Sequence, residues 1–427
     1  MGRRPRNASR EHRTVTAVEV AARYRWIALA LAFSSQVSNG LSSQAVAPLA
    51  PLFQPELGLT KAEVGFFSSA AYAGAWGLLL VSGSLTDRFG ARTMMSLGQV
   101  VAGLFMFAMA TVGGFFQAMV VMLAVGIGRA MAAPSLTKTI MDFFPPSSRA
   151  TAMGAKQAAV PLAGIMTAST LPSIALIAGW RWAVAAAGFW ILASGLATAI
   201  LYPSRGRREA SAQRKVSALA ALGSALRNRG LWSISVISVL FVTVQLATTS
   251  YLALYFEEIV LVPMVPDEDT RIVAAGGYLA ICQAGGVVGR VVWGAVSDRL
   301  FHGRRLPVLA IVGVLGALAS WTTGSLASGY PIWVLTAVAL ALGASSIAWN
   351  GLYQALIVET TGRKYAGTGV GLSMTMTQIG TVGGPPLFGY IVDVTGSYRT
   401  AWTFLAMLSG MGALAAGLGA TRERHVE

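Results

Sequence analysis

The chain has 427 residues, 55% of them apolar and only 11% charged, against roughly 25% charged in a soluble domain. With a mean hydropathy of +0.62, water is the wrong solvent for most of it, which excludes a soluble globule. A single cysteine, Cys282, excludes an intrachain disulfide framework, and three histidines leave little material for a structural metal site. The net charge of +15 sits in short segments between apolar runs. It therefore points to membrane topology and not to nucleic acid.

A membrane helix needs about 20 apolar residues. Twelve such runs follow in chain order: 26–52, 63–84, 93–112, 115–143, 150–177, 182–202, 231–258, 273–296, 306–326, 331–357, 367–393 and 400–420. The first is long and has no small-residue cleavage site, so it reads as helix 1 and not as a signal peptide. The predicted fold is an all-α integral membrane protein. A cytoplasmic segment 1–25 precedes a six-helix bundle 26–202. A polar, basic linker 203–230 leads to a second six-helix bundle 231–420 and a tail 421–427.

With the N-terminus inside, 24 of the 32 Lys and Arg fall in inner segments and four, Lys61, Arg181, Arg271 and Arg399, in outer ones. That asymmetry puts both termini in the cytoplasm. The basic residues are 27 Arg and 5 Lys, with abundant Ala and Gly. This composition suits a GC-rich bacterial genome, and hence a multi-pass protein of a bacterial cytoplasmic (inner) membrane.

The halves repeat. Gly83-Ser84-Leu85-Thr86-Asp87-Arg88-Phe89-Gly90-Ala91-Arg92 follows helix 2, and Gly294-Ala295-Val296-Ser297-Asp298-Arg299 follows helix 8, with the aspartates 211 residues apart. Trp180-Arg181-Trp182 after helix 5 is echoed by Tyr398-Arg399-Thr400 after helix 11. Parallel six-helix repeats are one of the transporter architectures.

The first of these loops resembles the G-x-L-x-D-R-x-G-R-R loop of the major facilitator superfamily, with Ala91 at a usually basic position. The likeness spans the whole chain. It implies a two-bundle fold in which helices 1, 4, 7 and 10 surround a central cavity. In the second half, Gly289-Arg290-Val291-Val292-Trp293-Gly294, then Gly384-Pro385-Pro386-Leu387-Phe388-Gly389 with Asp393, Gly396 and Tyr398, are similar to the monocarboxylate and oxalate/formate branches. That likeness implies that Arg290, on helix 8, meets a substrate carboxylate.

The loop residues Asp87, Arg88, Arg92, Asp298 and Arg299 read as a conformational latch, with Asp142 and Glu359 at inner helix ends as partners. An aspartate can cap a facing helix N-terminus, and the arginines can pair with carboxylates.

Four basic residues, Arg129, Lys138, Lys156 and Arg290, lie inside spans, whereas none of the 17 acids falls near a predicted midplane. An intramembrane charge costs roughly 3 kcal/mol or more unless paired or hydrated. A substrate anion is one way to match it. Arg290 stands eight residues before Asp298, about 12 Å from the inner helix end, and Gln283 shares its face. Arg129 reads as a coupling residue or a hydrogen-bond hub. Lys138, about 180° away round the helix, snorkels to the inner end. Lys156 either snorkels or adds a second cationic contact. Polar stripes on helix 1 (Gln36, Asn39, Ser43), helix 7 (Gln245, Thr248, Thr249) and helix 10 (Ser346, Asn350, Tyr353) complete the expected lining.

No phosphate-binding loop, catalytic triad or metal-helix pattern is present. The expectation is a monomeric secondary carrier, not an enzyme, with neither cofactor nor metal. It moves a small mono- or dicarboxylate by alternating access, through proton symport or anion exchange. The alternatives are a drug/proton antiporter and a transporter-like sensor.

Overall fold

The computed structural model describes residues 8–203, 227–326 and 329–424. Most of linker 203–230 and the extremities of segments 1–25 and 421–427 lie outside the described residues. Twelve helices of 15 residues or more are found among those described. The first half has α1 (Ala8–Gln44), α2 (Lys61–Phe89), α3 (Ala91–Ala108), α4 (Phe115–Phe143), α5 (Pro146–Ala178) and α6 (Trp180–Leu201). The second has α7 (Arg229–Tyr255), α8 (Glu268–Arg299), α9 (Arg305–Gly324), α10 (Ile332–Ser346), α11 (Asn350–Thr395) and α12 (Tyr398–Arg424).

Among the described residues nine helical stretches are long and apolar enough to cross a bilayer, and ten if the two arms of α2, bent by 64°, count as one span. α1 and the second part of α11 fall short because they carry Gln36, Ser38, Asn39, Ser42 and Ser43, and Thr375, Thr377, Gln378 and Thr381.

Local chemistry sets the helix ends. α2 starts at a capping box, in which the Glu63 amide donates to Thr60 Oγ1 at 3.2 Å and the Thr60 amide to Glu63 Oε2 at 2.9 Å. Asp267 caps α8 by accepting from the Thr270 amide at 2.8 Å. The Thr270 hydroxyl and amide hold the Asp267 carboxyl below its ordinary value. Where helices touch, small residues bring backbones together. A Cβ added at Gly98 would stand 2.6 Å from the Gly128 carbonyl oxygen, so α3 and α4 pack at glycine distance.

Two boundaries differ from the sequence reading. Helix 1 does not run to residue 52. α1 ends at Gln44, and the chain continues as a 3₁₀ turn (Ala47–Leu49) and a short helix (Ala50–Glu56); Pro48 lacks the amide that would bond to the Gln44 carbonyl and carry α1 on. The tenth span runs Ile332–Ile357, close to the expected 331–357, with a turn at 347–349 between α10 and α11. There the Asn350 amide group donates to the Ile347 carbonyl at 3.2 Å, in place of continuous helix bonding. The loop expected at 358–366 is helical instead, since no proline interrupts it, and α11 joins the tenth and eleventh spans.

The halves meet along two helix pairs, α2 with α11 and α5 with α8. At one end these pairs are tight. A Cβ at Gly65 would stand 2.6 Å from the Pro385 backbone, and one at Gly276 would stand 2.5 Å from the Ala168 carbonyl. On the same four helices, Cβ atoms at Gly83, Gly154, Gly294 and Gly371, toward the arginine-rich end, would meet nothing within 4 Å. The close backbone contacts between the halves thus lie toward the Lys61 end.

Polar ties across the halves follow the same gradient. Asp393 on α11 accepts the Lys61 amide at 2.9 Å and the Ala62 amide at 2.8 Å, capping α2 from the opposite half. Tyr251 donates to the Lys61 carbonyl at 2.5 Å. The Lys61 ammonium pairs with Glu258, which also accepts from the Tyr398 hydroxyl at 2.9 Å. A π-helical turn, Phe256–Val260, ends the seventh span and carries Glu258.

Candidate functional site

Between the halves lies a cavity with about 50 Å³ of free volume, lined by residues of α1, α2, α5, α7 and α8. Its polar wall includes Ser43 and Gln44 from α1, Ser68 and Tyr72 from α2, and Thr167 from α5. α7 contributes Gln245 and Thr249, and α8 contributes Gln283 and Arg290. α8 has glycine on the side where it meets α10, with Gly285 against the Leu340 carbonyl and Gly289 against the Ala344 carbonyl. This packing seats the helix deep enough for Arg290 to face the centre.

The four intramembrane cations fare differently. Lys138 reaches Asp87 at 2.6 Å, at the arginine-rich end where snorkelling was expected to take it. Lys156 is 7% exposed and donates to Thr137 Oγ1 at 3.4 Å. Arg129 lies over the Tyr72 ring, 4.6 Å from its centroid, and donates to the Ala71 carbonyl at 3.3 Å. A stacked cation of this kind is stabilised by roughly 0.5–2 kcal/mol. Arg290 has no carboxylate and no hydrogen-bond acceptor among the described residues, and its Nε is buried and unsatisfied. A half-buried guanidinium with a buried, unpaired Nε is costly. It is also a five-donor fork shaped for a carboxylate.

The remaining expected lining residues divide. Gln283 donates to Gln44 Oε1 at 2.6 Å across the two halves. Gln245 Oε1 accepts from Trp349 Nε1 at 3.0 Å and from Asn350 Nδ2 at 2.9 Å, so Asn350 orients a lining residue without lining the cavity itself. Tyr353 faces away, into a hydroxyl cluster with Ser373 at 2.8 Å and Thr377 at 2.9 Å between α7 and α11. Gln36 and Asn39 are half-buried in α1 and are not among the lining residues.

Gln44 and Tyr72 line the cavity and were not singled out from the sequence. Gln44 directly follows Ser43 at the end of the helix 1 stripe, which is the signal that marks it. Tyr72, one of four aromatic residues in span 2, offered none.

The loop aspartates are tied within their own halves. Asp87 holds Lys138. Asp298 holds Arg305 at 2.5 Å, and Arg305 also reaches Glu359 at 3.4 Å, so Glu359 pairs with Arg305 and not with Arg299. Arg92 donates through Nε to the Ala199 carbonyl at 3.0 Å, and Arg88 stacks on Phe89 at 5.4 Å. Asp142 has partners of its own at the arginine-rich end. These loop contacts are solvent-exposed and individually weak, which suits groups that exchange partners between states.

The chain is similar to known membrane carriers along most of its length. It is 24% identical to the hexuronate transporter of Bacillus subtilis, covering 90% of this chain and 92% of that one. It is 27% identical to human monocarboxylate transporter 11, over 90% and 80% of the two chains. In three dimensions it matches a point mutant of the nucleoside transporter NupG with a TM-score of 0.76 at 15% identity, over 92% of this chain and 99% of that one. Two six-helix halves with repeated aspartate loops accompany a match to the Major Facilitator Superfamily model. That model matches residues 32–385, so this chain is a member of that superfamily of transporters and not an enzyme.

Proposed function

We propose that this secondary transporter moves a small organic anion, a mono- or dicarboxylate, across a bacterial cytoplasmic membrane. The observation that carries the reading is Arg290, a half-buried guanidinium on the wall of the central cavity whose Nε is buried and unsatisfied and which has no anionic partner among the described residues. The substrate carboxylate completes it. Relatives support the class, since they include a hexuronate transporter and a monocarboxylate transporter. Gln283 and Gln245 supply neutral donors beside the arginine. Arg129, stacked on Tyr72, and Asn350, bonded to Gln245, orient lining side chains, whereas Lys156, Gln36, Asn39 and Tyr353 lie outside the wall.

Alternating access fits the gradient of contacts between the halves. By the positive-inside asymmetry, the tight Lys61 end is the outer face and the arginine-rich end is the cytoplasmic face. Protons or a counter-anion return the carrier. The loop pairs of Asp87, Arg88, Arg92, Asp298, Arg299, Asp142 and Glu359 exchange partners as it does so.

The test is counterflow in liposomes with galactonate, glucuronate, gallate and propionate set against ethidium and tetraphenylphosphonium. The reading requires anion flux. Flux of the cations with none of the anions overturns it. The orientation makes its own prediction. A reporter active only outside the cytoplasm is silent when fused after Glu427 and active when inserted at 263–266. The reverse pattern contradicts the assignment of the faces.

A further inference from the structure

Taking the carboxylate reading of Arg290 as its base, we infer that the Gln44–Gln283 amide pair is a second contact for the substrate. It selects an acid that carries hydroxyl groups, and its occupation releases a tie between the two halves. Three observations carry this.

The first is position. Gln283 and Arg290 line the same cavity and stand seven residues apart on α8, about 10 Å along the helix. Side chains on a helix lean toward its N-terminus, so the Arg290 guanidinium reaches back toward Gln283. A lone carboxylate does not fill that interval. A carboxylate joined to a short hydroxylated chain does.

The second is the state of the amides. Gln283 Nε2 donates to Gln44 Oε1 at 2.6 Å, and Gln44 Nε2 donates to the Val160 carbonyl at 3.1 Å. The pair therefore bridges α8 to α1 and α5 without any ionic component. A hydroxyl, which both donates and accepts, substitutes for either amide at little net cost. An alkyl chain in the same place leaves a buried amide unpaired.

The third is space. The cavity's free volume of about 50 Å³ is room for about four waters, at the roughly 10–15 Å³ each requires. An acid of several carbons exceeds it, and the side-chain pair that ties the halves at the cavity wall is Gln44–Gln283, beside a longer bond from Gln378 to the Tyr72 carbonyl at 3.5 Å. Gly164 shows how closely the pair is fitted: a Cβ there would stand 2.6 Å from Gln283 Nε2 and 2.6 Å from Gln44 Oε1. Binding therefore parts a hydrogen bond that holds the halves together, which links occupancy to opening of the outer end.

The experiment compares matched acids of equal carbon number, gluconate against hexanoate and lactate against propionate. Equilibrium binding to the purified full-length protein is measured. The longer pair should show the larger effect. Wild type is expected to prefer gluconate over hexanoate about tenfold or more. Gln283→Ala, Gln44→Ala and Gly164→Ala, the last displacing the amides without removing them, should each cut that preference by about three- to tenfold. Part of the lost preference should appear as tighter hexanoate binding, because the alkyl chain no longer parts an intact amide pair. A wild-type protein that binds neither gluconate nor hexanoate, or shows no preference for the hydroxylated member, overturns the inference. So does an undiminished preference in all three variants. Arg290→Ala, run alongside, reads the carboxylate contact separately. If it leaves gluconate and hexanoate binding intact while the amide variants still lose discrimination, the arginine reading fails and the amide contact stands.

Discussion

Arg290→Ala is expected to weaken binding of the transported anion by about 100-fold or more, in protein that remains folded and monodisperse. A hydrogen bond to a charged group contributes about 1.5–3 kcal/mol, roughly 10- to 150-fold in affinity. A guanidinium that meets a carboxylate with two parallel donors lies at the upper end of that range. Folding should not suffer, because Arg290 has no protein partner to lose among the described residues. Removing it relieves an unmatched half-buried charge. Arg290→Lys should recover only part of the affinity, since lysine keeps the charge and loses the planar fork. Titration calorimetry on wild type and both variants reads the order. Equal affinity in wild type and Arg290→Ala would make the residue structural.

The second large effect belongs to the closed end. A Cβ at Gly389 would press on the Tyr251 hydroxyl and the Lys61 carbonyl, the latter being backbone that cannot rotate away. Gly389→Leu should therefore force α2 from α11. Overpacking a tight contact costs about 1–3 kcal/mol, enough to move the balance between closed and open Lys61 ends by roughly 5- to 150-fold. Asp393→Asn should act in the same direction and more weakly. It keeps the shape but removes the negative charge that caps the Lys61 and Ala62 amides. Spin labels at Thr111→Cys and Thr395→Cys, both exposed near this end, report the separation once Cys282 is replaced by serine. A longer distance in Gly389→Leu is the expected result. An unchanged distribution would mean that this contact does not set the state.

Hydropathy, charge asymmetry and the repeat at Asp87 and Asp298 made most of the fold legible, because the bilayer forces most spans to declare themselves as apolar runs. The misjudged boundaries share one cause. Pro48, which ends helix 1 early, and the 358–366 stretch, which stays helical within α11, are decided by backbone hydrogen bonding, and a hydropathy window does not register that.

The site was legible in part. Arg290 stood out because an unmatched charge in a membrane is conspicuous at any register, and Gln245 and Gln283 lay on helix faces that proved to point inward. Tyr353 lay on a similar polar stripe and turned into the α7–α11 hydroxyl cluster. Periodicity says which residues share a face but not what that face meets. Gln44 meets Gln283, 239 residues away, and no local pattern announces such a pairing.

The most direct test of the central claim is a cryo-electron microscopy map of the protein saturated with an anion that counterflow has selected. The account predicts density for the anionic group within hydrogen-bonding distance of the Arg290 guanidinium, on the cavity wall it shares with Gln283 and Gln245. Density for the anion elsewhere, with Arg290 turned onto helix carbonyls, would contradict it.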